Sequence, residues 1–345
     1  MAYNATVDTI TLEEIMPDVV DTVLRTNLLT TRVLAKTKVF DAATINFPIK
    51  YRTGTPIQNF QGFDVLPFSY TDIRVSLKYN PKFSTANVAL AVTDIAANNT
   101  AGKVIDLVKV ESLSRAQDLA DGIGTQFYAD ATGFGGNAFN GLGNLVSDTG
   151  TVGGLSRSTY PTLASTVTNS SGTLSLFKMR TLWNSIADAD VMPTETLTDY
   201  GTWALYETLL QPTEIINKRQ VDYAPNFKGW TGFDALMFAG LPVFADRKCP
   251  SGYMYMLNTD YLNFYGLPVF SGSMSDGQMD GKPIKVGGKL IKGNQYGDNQ
   301  NLGFFWTGFI KATNMMAYNS FVVLGGNLIT DNPRRQGLLY GITGV

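Results

Sequence analysis

The chain has 345 residues, of which 44% are hydrophobic and 16% charged; its formal net charge is −2 and it contains no histidine. This length accommodates one large domain or two lobes with an ample core, and near-neutrality excludes a chain-wide electrostatic footprint for nucleic acid. The missing histidine excludes Ser-His-Asp and Cys-His catalysis, histidine general bases and histidine zinc sites.

The charged fraction lies well below the roughly 25% of ordinary soluble domains. Low charge density with many Gly, Asn, Thr and Tyr suits a surface covered by other subunits, and composition alone does not separate this from an ordinary β-rich domain. The single cysteine, Cys249, allows no internal disulfide and has no catalytic partner. No basic segment followed by an apolar run opens the chain, and no stretch of about 18 apolar residues predicts a transmembrane helix. Synthesis in a reducing cytoplasm fits these features. The Asn-x-Ser/Thr matches at Asn4, Asn98 and Asn169 are what an Asn- and Thr-rich chain yields by chance.

Thr11 to Lys38 reads as an amphipathic helix, in one piece or two. Thr11 and Glu14 have capping-box spacing, Pro17 falls where a first turn tolerates it, and Ile15, Val19, Val20, Val23, Leu24 and Leu28 recur at helical spacing. From Phe40 to about Val92 the pattern becomes that of strands. Ile45, Phe47 and Ile49 share one side of the first, and Ile73, Val75 and Leu77 one side of the second. Between them Gly54, Pro56 and the run Asn59 to Gly62 predict a loop or hairpin tip. Two strands alone are marginal in water, so the ribbon must lie on a further surface.

Gly102 to Asp130 is the strongest helix, with Val104, Leu107, Val108, Leu119, Ile123 and Phe127 on one stripe. At 1.5 Å per residue it runs about 40 Å; Gly122 and Gly124 weaken its end by roughly 1 kcal/mol each. A glycine-rich turn follows from Gly133 to Gly143. Helix and strand then alternate: Leu174 to Asp188 and Asp199 to Leu210 as helices, Leu236 to Ala245 and Tyr253 to Leu257 as strands. Ser271 to Gln300 is a long loop or hairpin, and Phe304 to Ala312 and Ala317 to Leu324 return to strand.

Several motifs favour the plainer reading. Gly133, Gly135 and Ala138 match the dinucleotide fingerprint, but a helix rather than a strand enters and no acid follows about 20 positions on. Asp276, Asp280 and Gly281 supply too few oxygens for calcium. A carboxylate pair of glycosidase type needs no histidine, yet no pair stands out among 29 acidic residues. Tyr253, Tyr255, Tyr261, Phe264 and Tyr265 lack interleaved basic residues and read as core or interface rather than as a base- or sugar-stacking surface. Arg334 and Arg335 read as a solvated turn or a subunit contact.

The order of elements is more distinctive than any motif: a terminal helical arm, an extended two-stranded loop, a long spine helix, a glycine-rich turn, then a mixed α/β region. This resembles the HK97-type fold of tailed-phage major capsid proteins and encapsulin shells, over about residue 10 to the C-terminus. Local strings carry the likeness. They are Gly133-Phe-Gly-Gly-Asn with Asn140-Gly-Leu-Gly143, Gly153 to Tyr160, Gly229-Trp-Thr-Gly-Phe, Leu236 to Asp246 and Pro250 to Asn258.

The resemblance implies an α+β subunit with an N-arm (1–38), an E-loop hairpin (39–92), a P-domain with the spine helix (93–180), an A-domain (about 181–310) and C-terminal strands returning to the P-domain (311–345). It implies pentamers and hexamers closing into an icosahedral virion shell around double-stranded DNA held by non-specific contact, assembled in the host cytoplasm without a membrane. A portal protein, a separate scaffolding protein and a decoration protein are the further partners implied. No built-in scaffold helix is visible before the arm, so the resemblance implies a separate scaffolding protein or cleavage ahead of this chain; no acidic catalyst matches the E-loop lysines Lys50, Lys78 and Lys82, so no cross-link is expected. No catalytic, cofactor or metal residue is expected either. The arm and ribbon each carry an apolar side that one core is poorly placed to cover, which makes Ile15, Val19, Val23, Leu24, Ile45, Phe47, Ile49, Phe60, Phe63, Ile73 and Val75 the expected subunit-interface residues. The other readings are an encapsulin-type shell and, from another class, a carboxylate-based polysaccharide hydrolase or tail binding module.

Overall fold

The computed structural model describes residues 27–40, 42–54, 57, 59–64, 71–97, 101–187, 191–210, 236–267, 284–286, 289–291, 304–306, 309–311 and 315–344. Most of the arm, including Ile15, Val19, Val23 and Leu24, lies outside them, as do the acidic Asp276 to Gly281 loop and the Gly229 string.

The described chain begins with helix α1 (Leu28–Ala35), then β1 (Lys38–Val39) and the ribbon strands β2 (Ile45–Lys50) and β3 (Arg74–Tyr79). Strand β4 (Lys82–Ala91) leads through α2 (Val92–Ala97) into the spine helix α3 (Ala101–Tyr128), whose 28 residues span about 42 Å. The expected glycine weakening does not end it. Asn27 packs where a Gly124 side chain would stand, its amide 2.3 Å from an added Cβ, so glycine here is what lets α1 approach the spine. Beyond the spine the chain folds back so tightly that a Cβ on Gly141 would lie 2.3 Å from the carbonyls of Gln126 and Ala129.

After a short helix α4 (Leu142–Leu145) come the small hairpin β5 (Thr151–Val152) and β6 (Leu155–Ser156), β7 (Thr166–Gly172), α5 (Leu176–Ile186), β8 (Glu195–Thr198) and α6 (Tyr200–Leu210). The remaining strands are β9 (Leu236–Phe238), β10 (Leu241–Ala245), β11 (Met254–Leu257), β12 (Leu262–Gly266), β13 (Ile284–Val286), β14 (Lys289–Ile291), β15 (Phe304–Trp306), β16 (Ile310–Lys311), β17 (Ala317–Thr330) and β18 (Gly337–Ile342). The Ser271 to Gln300 hairpin is represented by the antiparallel β13–β14 pair. Within Leu236 to Ala245 the chain reverses at Ala239 and Gly240, both at positive φ, the geometry a two-residue hairpin turn requires. Leu241, Pro242 and Val243 therefore lie in the second strand of this hairpin, opposite Phe238, Met237 and Leu236.

One sheet is organised on β17. One of its edges pairs with β4 over ten positions, from Ala317 opposite Ala91 to Gly326 opposite Lys82; the other takes β12, β15 and β16 in succession. Val88 and Leu90 of β4 point into a core shared with Val108, Leu119, Ile123 and Phe127 of the spine. The second sheet runs β7-β18-β11-β8-β10-β9, and both of its faces are covered. Met254 and Met256 face a second core with Met179, Leu182 and Ile186 of α5 and Tyr206 of α6, whereas Tyr255 and Leu257 face the spine-side core.

Candidate assembly surface

The ribbon pairs Ile45 with Tyr79, Phe47 with Leu77 and Ile49 with Val75. Its root is tied down by the chain itself. The Lys78 N–H donates to the Gly153 carbonyl at 2.9 Å, and the Tyr79 hydroxyl donates to the Thr330 carbonyl at 2.9 Å. Phe47 meets Tyr79 and Tyr265 edge-on, and Tyr51 meets Tyr160 edge-on at 5.1 Å. Leu77 and Tyr79 are buried, while Ile45, Phe47 and Ile49 are half-buried against the core and Ile73 and Val75 are half-buried.

Among the described residues of the tip, none is tied to the body in this way. Ile57 is 97% exposed, Phe60 63%, and Phe63 fully so. Phe60 and Phe63 were legible as apolar residues in a polar loop; Ile57, between Pro56 and Gln58, carries the same signal and was not singled out. Three large apolar side chains in solvent on one loop are the kind of patch that marks an interaction site. The ribbon lysines divide too. Lys50 and Lys78 are exposed, whereas Lys82 is half-buried and donates to the Ala138 carbonyl at 2.6 Å, and burial holds its pKa below the ordinary lysine value.

The arm enters the body through α1, which packs into the spine-side core through Leu28, Leu29, Val33 and Leu34. The Asn27 side chain donates to the Ala120 carbonyl of the spine at 3.1 Å. The Asp246 carboxylate accepts the Leu29 N–H at 3.0 Å, capping the helix from a distant strand end. Arg32 forms an ion pair with buried Glu195, its guanidinium 4.1 Å from the Phe244 ring centre.

The buried acids hold the fold in place. Asp246 also accepts the Lys248 N–H. Asp199 accepts N–H groups of Gly201, Thr202 and Gly252, capping α6. Burial pushes the Cys249 thiol well above its usual pKa, which keeps it protonated. Among the described residues no group of three or more Cys, Asp or Glu is placed to hold a metal ion, and no helix is long and apolar enough to cross a membrane. The Gly133 to Gly136 turn follows the spine helix and has no entering strand.

No protein-family model matches the chain, and no curated protein matches it. Solved structures do. A chain of the Cyanophage A-1(L) capsid asymmetric unit superposes with a TM-score of 0.63 at 16% identity, covering 91% of this chain and 92% of that one. The capsid of an empty GTA particle gives 0.55 at 8% identity, covering 91% and 90%. The holo-SrpI encapsulin complex from Synechococcus elongatus gives 0.51 at 11% identity, covering 88% and 84%. Nearly the whole length of each chain is matched, so the likeness is one of complete architecture. The chain has the α+β HK97-type capsid fold.

Proposed function

We propose that this chain is the major capsid protein of a tailed bacteriophage, a structural subunit that assembles with copies of itself and performs no catalysis. The observation that carries the reading is the ribbon tip. In a capsid-type fold, Ile57, Phe60 and Phe63 stand in solvent at the end of a ribbon whose root is fixed to the body. Burying them on a neighbouring subunit turns an unfavourable surface into association energy, and permanent assemblies commonly bury more than about 2,000 Å². The arm residues Ile15, Val19, Val23 and Leu24 supply a second apolar contact, and Ile45, Phe47, Ile49, Ile73 and Val75 contribute the surface they still expose.

In this reading residues 1–38 are the N-arm, 39–92 the E-loop, 93–180 the P-domain, 181–310 the A-domain and 311–345 the returning strands. Heterologous contacts close rings of five and six subunits into an icosahedral shell. Near-neutral charge lets identical subunits meet without strong repulsion, and lets the shell confine double-stranded DNA without gripping it. Portal, scaffolding and decoration proteins complete the particle, which forms in the host cytoplasm. Negative-stain microscopy of the purified protein tests the proposal: shells, capsomers or tubes are expected, and a monodisperse monomer on size exclusion contradicts it.

The likeness to an encapsulin keeps one second reading, a protein nanocompartment. Particles purified with a bound cargo protein and no nucleic acid favour that alternative.

A further inference from the structure

Between the second sheet and the end of the spine helix lies an open cleft of about 350 Å³, within the usual range for small-ligand sites. One wall is a row of tyrosines on the neighbouring strands β11 and β18 and the residue before β11. The Tyr253 and Tyr255 rings stack 6.2 Å apart at 28°, and Tyr253 and Tyr340 lie 6.1 Å apart at 37°. Tyr253 and Tyr340 are only half-buried. The spine terminus and the loop beyond α4 also line the cleft and bring Asp130 and Asp148 to it, both exposed.

No lysine or arginine is among the residues lining this cleft. Nearby Arg157 is buried and donates its N–H groups to the carbonyls of Asn144 and Thr149. The Thr132 hydroxyl and backbone N–H both donate to Asp130, which holds its carboxyl below the usual range.

We propose that this cleft binds an organic cation, a primary ammonium or a guanidinium, between the tyrosine row and the two carboxylates. Aromatic faces attract such cations through the ring quadrupole, and the carboxylates neutralise the charge that the rings cannot. Two sources share this chemistry, a free polyamine or a basic side chain of another polypeptide. Every lining residue comes from one chain, so binding is testable on unassembled protein.

Calorimetric titration with spermidine, with N-acetylarginine amide and with neutral maltose separates the outcomes. Saturable single-site binding of at least one cation is expected, weakened about tenfold by Asp148→Asn and by Asp130→Asn. Asp64→Asn, a change in the exposed ribbon loop, leaves the affinity as it was. The tighter cation identifies the source. The proposal is overturned by no saturable cation binding, by affinity indifferent to both cleft substitutions, or by maltose binding as well as the cations.

Discussion

The ribbon tip and strand β11 are made of similar residues and end in opposite environments. In β11, Met254, Tyr255, Met256 and Leu257 are all buried, alternately against two cores. At the tip, Ile57, Phe60 and Phe63 touch no core. The ribbon's own root, with Leu77 and Tyr79 buried, sits between these extremes. The difference teaches that apolar content does not say what a side chain is for: one set holds the subunit together, and the other is left for something outside it.

Substitutions can break or sharpen this contrast. The largest effect expected is on assembly. Phe60→Asp with Phe63→Asp places two charges where a neighbour would bury apolar surface, and is expected to abolish particles in negative stain while circular dichroism stays native. Inside the body, Phe264→Ala removes a fully buried ring packed against Phe127 and Phe139 and is expected to cost about 4 kcal/mol in denaturant unfolding of the unassembled subunit. Arg32→Ala leaves Glu195 buried without its cation and is expected to cost about 3 kcal/mol by the same measurement.

Burial also raises the hydroxyl pKa of Tyr79, Tyr128 and Tyr255 above the ordinary value of 10.0. The unfolded chain ionises first, so this stability is fully present below pH 10 and is lost as pH rises from there toward the folded-state values. Each group contributes up to about 1.4 kcal/mol per pH unit in that window. Phenolate absorbance that rises together with unfolding, and a shallower alkaline loss in Tyr255→Phe, are the expected readings. Smallest of all is the effect of Phe63→Ser on the subunit alone, under about 0.5 kcal/mol. A large loss there would mean that the tip folds onto its own body and would remove the basis of the assembly reading.

Legibility followed the number of covered faces. The ribbon strands were readable because one side of each is open, so apolar and polar residues alternate. Strand β8, Glu195 to Thr198, is buried throughout and shows no alternation; it was not read as a strand. The same holds for the second half of β17, which extends to Thr330, beyond the strand expected to stop at Leu324, and β18 is buried except at Tyr340 and Gly341. Of the candidate surface, Phe60 and Phe63 were legible as greasy residues in a glycine-rich loop. The α1 clasp was not. Arg32 and Glu195 are 163 residues apart, and nothing local to either announces the other.

From the sequence by itself came the absence of histidine chemistry, the spine helix, the ribbon and the order of elements, because these rest on composition and on periodicity within a few residues. Only the tertiary structure decided which apolar faces the chain covers itself. Local pattern sets where a side chain points, whereas burial depends on what distant segments bring to that side. The same alternation thus ends half-buried at the ribbon root, and similar residues stand in solvent at its tip.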